Sequence, residues 1–248
     1  MAVSRLVLSA SLVPAGVSLC GVQLPVDADA ALAALAALEE LDELNADSAR
    51  TPLPEHVTGA VPSRRASFLA GRWCAHQALR ASVPNAAQMI IGTGEFREPL
   101  WPPGTLGSIA HTEGYALAAA APRGDVRAIG VDVERWLDDD APVRIGADLA
   151  AAGELDALVV QTGWPAARLL TVLFSAKESI YKCLFPEVRA HFGFEAAWLE
   201  RVEAVDGAAG RFVARLTGPL GPDLPTGLVL RGRFACLDEV VVTTLVLD

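Results

Sequence analysis

The chain has 248 residues, 52% hydrophobic and 20% charged, which is enough apolar material for a sizeable core and too much for intrinsic disorder. Its net charge of −10 argues against nonspecific binding to nucleic acid or to anionic membranes, while leaving room for a local basic pocket that takes an anionic ligand. The length allows one large domain or two of about 100–150 residues each. The four cysteines (Cys20, Cys74, Cys183, Cys236) are scattered with no CxxC pair, so neither a zinc site nor a disulfide framework is indicated, and a reducing cytoplasm fits best.

The apolar N-terminus is interrupted by Pro14 and Gly16, and Val17, Leu19 and Val22 predict a first strand, with a secretion signal as the minority alternative. No run of about 18 apolar residues is free of breakers, so no membrane span is expected. The Ala- and Leu-rich stretch 28–45 predicts a helix packed on one face. Residues 62–81 predict a second, started by Pro62–Ser63 and carrying Phe68, Leu69, Trp73, Ala75 and Leu79 as apolar positions. Residues 88–93 and 107–121 read as strands joined by the Pro- and Gly-rich "REPLWPPGTLG", "PRGD" (122–125) as a turn, and Val126–Glu134 as a strand. An acidic loop at 137–143 and helices near 147–160 and 165–185 follow. The tail holds three antiparallel strands in "FVARLTG", "LVLRGRFA" and "EVVVTTLVL". Strands and helices mix without regular βαβ alternation, so the fold class is α+β.

Within the strand "IGVDVERW" (129–136), Asp132 and Glu134 alternate with Val131 and Val133 and therefore share a face. Two carboxylates this close repel unless a cation lies between them, and removing one should relieve that repulsion. Hard oxygen ligands, few in number and completed by phosphates and water, suit Mg²⁺. The other reading is a strand running out to solvent with hydrated acids, and the motif alone does not separate the two.

In "FSAKESIYK" (174–182), Glu178 and Lys182 stand four apart on one helical face, at the rim of the stripe Leu173, Ile180, Tyr181 and Leu184. Such spacing most often makes a surface ion pair. Yet of 20 basic residues only Lys177 and Lys182 are lysine, the rest arginine, as though a compact ammonium were wanted there. In "SRRASFLAGR", Arg64 and Arg72 are eight apart and able to face one anion, with Arg65 elsewhere on the helix. His111 is either a phosphate donor or a structural histidine, and Cys74 and Cys183 belong to the core.

"IGVDVE", about forty residues and then "FSAKESIYK", preceded by "RRASFLAGRWCAHQAL" and "GEFREPLWPPGTLGSIAHTEGYA", resemble the 4′-phosphopantetheinyl transferases. Within them the resemblance is to the larger single-chain Sfp type, and more narrowly to the enterobactin synthetase component D group. It runs from about residue 14 to the C-terminus. It implies two similar, pseudo-twofold α+β halves, 1–123 and 124–248, with coenzyme A and Mg²⁺ in the cleft between them. By resemblance Asp132, Glu134 and Glu178 are metal ligands, and Asp132, Glu178 and Lys182 serve catalysis, Lys182 on the coenzyme A phosphates. Arg64 and Arg72 take the 3′-phosphate region, His111 another phosphate, and Thr93, Gly94 and Arg97 border the adenine. Two departures stand out: relatives often have a hydroxyl residue where this chain has Ala110, and a lysine within the segment matching Thr93–Phe96.

The implied reaction moves the 4′-phosphopantetheine arm of coenzyme A to a serine of an apo acyl or peptidyl carrier protein, with Glu178 as base and adenosine 3′,5′-bisphosphate leaving. A cytoplasmic monomer is expected. The alternatives are a non-catalytic module that binds coenzyme A or a carrier, and a Mg²⁺-dependent pyrophosphate hydrolase.

Overall fold

The computed structural model describes residues 3–45, 53–84, 86, 89–205 and 208–248, with backbone alone for 39–45. The chain divides into two compact units, Met1–Leu8 with Pro14–Ile129 and Asp248, and Ser9–Val13 with Gly130–Leu247. Each is a long helix laid on an antiparallel sheet, in keeping with the α+β class.

In the first unit, strands β1 (Ser4–Arg5), β2 (Ser18–Gln23), β5 (Thr105–Thr112) and β6 (Tyr115–Pro122) form a sheet in the order β1-β2-β6-β5. All its pairings are antiparallel. The run read as strand over 107–121 is a hairpin, because Gly114 turns at φ +77°, a conformation only glycine adopts freely. Helix α3 (Pro62–Ser82) crosses this sheet, with the 18-residue helix α1 (Ala28–Asn45) packed against it. Asp27 caps α1 by accepting from the Ala30 N–H at 2.8 Å. The α3–sheet contact is built from small side chains, Ala66, Ala70, Cys74, Ala75 and Ala78 against Ala116, Ala118 and Ala120, which lets helix and sheet approach closely. A short helix α2 (Glu55–Thr58) precedes α3.

The expected strand at 88–93 shrinks to β3 (Gly92–Thr93), paired with β4 (Pro99–Leu100), while Gln88 lies outside the described residues. Pro99 has no N–H to extend that ladder.

In the second unit the sheet runs β7-β11-β10-β9-β8, with β7 at Ala128–Arg135, β8 at Ala197–Ala204, β9 at Ala209–Leu216, β10 at Val229–Cys236 and β11 at Val240–Leu247. The last three match the expected strands. β8 was not anticipated: a bulge between Leu199 and Arg201 inserts one residue into its alternation and hides the period of two. Helices α4 (Ala141–Leu149), α5 (Glu154–Thr162) and α6 (Ala166–Val188) follow β7, and α6 lies on β11. The acidic segment is a loop only as far as Asp140, since Pro142 opens α4. The single helix expected over 147–160 is two, broken before Gly153 at φ +81°. Among the described residues, no single helix is long and apolar enough to cross a membrane.

One glycine sets the depth of α6. A Cβ on Gly130 would lie 1.8 Å from the Ser179 carbonyl oxygen and 2.7 Å from the Cys183 nitrogen, both α6 backbone atoms. Gly130→Ala must push α6 away from β7, a cost at or above the roughly 1–3 kcal/mol typical of overpacking. Chemical denaturation reads this directly; a wild-type midpoint would mean that the helix has slack.

Candidate functional site

Asp132 is buried at 2% exposure, flanked by the fully buried Val131 and Val133, so this part of β7 does not run out to solvent. Its charge is met by Lys182, whose Nζ donates to Oδ1 at 2.5 Å. Ser175 Oγ donates to Oδ2 at 2.8 Å. Thr243 on β11 backs Ser175, donating from Oγ1 to its carbonyl at 2.8 Å. Both oxygens of Asp132 thus have donors from the protein, as an isolated buried carboxylate requires.

Glu178 Oε2 stands 3.9 Å from Lys182 Nζ, so the i,i+4 spacing places the two together, but Lys182 makes its short bond to Asp132. Burial pulls the Lys182 pKa down, yet the charges of Asp132, Glu178 and Glu134 and the Asp132 hydrogen bond outweigh it and hold the ammonium above the ordinary lysine value. Burial raises the Glu178 pKa; Lys182 opposes that shift and Asp132 adds to it. The three acids picked from the sequence therefore act on one cation, and that cation is a lysine.

Among the described residues, no three His, Cys, Asp or Glu side chains are gathered closely enough to hold a metal ion as they stand. The donor set itself, three carboxylates around a positive charge, has the hard-oxygen chemistry of a Mg²⁺ site. Asp132 Oδ1, which a divalent ion would need, is taken by Lys182.

The first unit carries the arginines and the histidine singled out in the sequence. Arg72 is 4% exposed, donates through Nη2 to Thr93 Oγ1 at 3.0 Å and stacks its guanidinium 5.0 Å from the Phe68 ring centre. Its Nη1 is buried with no hydrogen-bond partner among the described residues. Burial lowers its pKa to about 10. A desolvated guanidinium with a spare donor is an arrangement that an anion would complete.

Arg64 is exposed, and its Nη1 lies 3.3 Å from His111 Nε2, where the ring nitrogen must be the acceptor because guanidinium has no acceptor to offer. Arg64 and Arg72 thus engage different partners, about 12 Å apart along the axis of α3. Ala110 is buried on the face of β5 that it shares with Leu117, opposite to the α3-facing side that carries its neighbour His111, so its side chain is turned away. Thr93, Gly94 and Arg97 form the tight turn between β3 and β4, where the Gly94 N–H donates to the Glu98 carbonyl and Arg97 takes φ +66°. Arg72 tethers Thr93 in that turn; no hydrogen bond described here brings Arg97 to the other basic residues.

Four partners escaped the sequence reading: Ser175 and Thr243 behind Asp132, and Glu154 and Leu199 around Lys177. The scarcity of lysine pointed at Lys177 as well as at Lys182, but nothing local marks a serine as the support of a carboxylate 43 positions away, or a threonine as the support of that serine 68 positions on.

Known proteins resemble the chain over most of its length. The family model described as "4′-phosphopantetheinyl transferase N-terminal domain" matches residues 53–121, and that of the "4′-phosphopantetheinyl transferase superfamily" matches residues 128–230. The 4′-phosphopantetheinyl transferase PptT of Mycobacterium tuberculosis is 35% identical over 213 residues, 79% of this chain and 86% of the relative. The 4′-phosphopantetheinyl transferase Npt of Nocardia iowensis is 34% identical over 202 residues, 78% and 87% of the two chains. Enterobactin synthase component D of Salmonella typhi is 34% identical over 154 residues, 61% and 62% of the two.

Proposed function

Since this chain belongs to the 4′-phosphopantetheinyl transferase superfamily, we propose that it transfers the 4′-phosphopantetheine arm of coenzyme A to a serine of an apo acyl or peptidyl carrier protein. The observation that carries this reading is the meeting of Asp132 and Glu178 at the Lys182 ammonium, 2.5 and 3.9 Å from it, with the charge of Glu134 acting on the same group. Three carboxylates against one ammonium leave an excess of negative charge, which the divalent counter-ion of a pyrophosphate would offset.

In this reading the carrier serine oxygen bonds to the phosphorus that bears pantetheine. The bond to the bridging pyrophosphate oxygen breaks, and adenosine 3′,5′-bisphosphate leaves. Phosphoryl transfer of this kind is mostly positioning and charge neutralisation. Glu178, its basicity raised by burial, takes the serine proton. Lys182 turns its ammonium from Asp132 to the phosphate oxygens. Asp132, Glu134 and Glu178 would hold a divalent ion, Mg²⁺ in this reading, which when bound supplies positive charge to the pyrophosphate. Arg72, Arg64 and His111 of the first unit would take the 3′-phosphate and a further phosphate, with the 93–97 turn beside the adenine. The half 1–123 thus serves the nucleotide and the half 124–248 the chemistry. Among the described residues none of the four cysteines is in a disulfide, and this reading takes the setting to be cytoplasmic.

Incubation with coenzyme A, Mg²⁺ and an apo carrier, followed by mass spectrometry of the carrier, tests the proposal. A carrier heavier by one phosphopantetheine arm, and unmodified in EDTA, is the expected result. Free phosphopantetheine with an unmodified carrier would identify a hydrolase; coenzyme A bound but intact would identify a binding module.

Arg72→Gln separates binding from folding. Removing a desolvated charge with an unused donor should leave thermal stability unchanged or higher. Loss of a hydrogen bond to a charged group, about 1.5–3 kcal/mol, should raise the KM for coenzyme A roughly 10- to 100-fold. Dephospho-coenzyme A, lacking the 3′-phosphate, should show little further loss in this variant. Equal losses on both donors would take Arg72 off the 3′-phosphate.

A further inference from the structure

Lys177 and Glu154 form a buried ion pair on the far side of α6 from Asp132. Their side chains are 1% and 0% exposed and meet at 2.7 Å, Nζ to Oε2. The same Oε2 accepts from the Ala151 N–H at 2.9 Å, and Oε1 accepts from the Leu199 N–H at 2.6 Å. One carboxylate thus ties together the start of α5, the edge strand β8 and the middle of α6. Glu154 is itself held firmly: about two turns on along the same face of α5, Gln161 accepts from the Val202 N–H at 3.0 Å and donates to the Glu200 carbonyl at 3.3 Å. Helix α5 therefore covers the outer edge of β8, the side away from β9, where no strand pairs among the described residues.

The directions around α6 give this pair its meaning. At about 100° per residue, Ser175, Glu178 and Lys182 fall within about 60° of arc, the arc that faces Asp132, while Lys177 points roughly 100–160° away. Among the remaining buried residues of α6, Thr171 accepts from the Leu137 N–H at 3.2 Å on the same arc and Ser179 bonds within the helix, while Leu169, Leu170, Val172, Leu173, Ile180 and Leu184 are apolar and do not by themselves fix a rotation. A buried ion pair is a costly way to obtain stability, since apolar residues of similar volume often serve as well. Directional bonds on two opposed faces do what apolar packing does not: any turn of the helix breaks both.

We propose that Lys177 is a positioning residue, whose buried bond to Glu154 sets the rotation of α6 and so aims Glu178 and Lys182 at Asp132. The catalytic half of the inference rests on the transfer reading above; the geometric half does not.

The two-lysine composition supplies a readout that needs no activity. In protein labelled with ¹⁵Nζ-lysine, Lys177→Met assigns the two ammonium signals by deletion. Glu154→Gln touches neither Asp132 nor Lys182, yet the Lys182 signal should shift and lose its protection from hydrogen exchange. In the same variant kcat should fall about 10²-fold, the scale of a misplacement of 1 Å, with the KM for coenzyme A nearly unchanged. A folded Glu154→Gln protein with a wild-type Lys182 signal and wild-type kcat overturns the proposal. If that variant does not fold, the apolar replacement Glu154→Leu/Lys177→Met is read in the same way, its single remaining lysine giving one signal. Should the wild type itself transfer nothing, the transfer reading fails, and the Lys182 signal still decides the positioning.

Discussion

Asp132→Asn should lower the rate of carrier modification about 10²-fold or more, the scale seen when a preorganised electrostatic contact is removed, while the chain stays folded. Asparagine keeps the volume and can still accept from Ser175 Oγ, which donates to Asp132 at 2.8 Å. What it withdraws is the charge facing Lys182, leaving that ammonium with Glu178 at 3.9 Å and Glu134. Breaking a fully buried ion pair costs about 3–5 kcal/mol. With its side chain 27% exposed, Lys182 can turn to water, so the loss here should be smaller. Asp132→Ala is the poorer test. On sequence grounds, removing an acid from a cluster relieves repulsion; in the structure Lys182 already neutralises it, and alanine leaves Ser175 Oγ only Thr243 Oγ1, at 2.9 Å, in place of the carboxylate. Transfer measured by mass spectrometry, coenzyme A binding by calorimetry and a thermal melt together decide the matter. Near-normal transfer by a folded Asp132→Asn protein would remove this carboxylate from the chemistry.

The elements legible in the sequence were those whose periodicity is carried by their own residues. Helix α3 shows its Pro62 start and apolar face, and β11 is a nearly pure run of β-branched residues, buried along Val240–Leu245. Where the period was broken by geometry, it misled. The extra residue of the β8 bulge disguised an edge strand, and a left-handed Gly153 cut one helical run into α5 and its predecessor α4. The site divides in the same way. Asp132, Glu178 and Lys182 lie in short motifs whose spacing already aligns them. Ser175, Thr243 and Glu154 act through tertiary contacts that no spacing encodes.

Gly130 shows how the two levels meet. In the sequence it is one letter before "VDVE"; in the fold it is the reason the α6 backbone can lie on β7 at all. The distance from Asp132 to Lys182 thus depends on the absence of a side chain two positions earlier, and the rotation of α6 on a lysine one position before Glu178.

Glu178→Gln is expected to lower kcat by about 10²–10⁴-fold, the range ascribed to a general base, while coenzyme A still binds. Glutamine matches the volume and retains one acceptor oxygen, but takes no proton at neutral pH and offers no charge to a metal ion. Burial makes Glu178 more basic than an ordinary glutamate, as the role requires. Withdrawing a negative charge from beside the pyrophosphate should leave donor affinity unchanged or higher. Lys182→Ala should behave differently: a cation is lost from the phosphates and Asp132 is left without its short partner, so rate and donor affinity fall together. Lys182→Arg should recover only part of either, because a planar guanidinium does not reproduce a compact ammonium at Asp132 Oδ1. Single-turnover rates and calorimetric affinities, measured separately on all three variants, distinguish the two residues. A Glu178→Gln enzyme with near-normal kcat would exclude this acid as the base and move serine activation to another group.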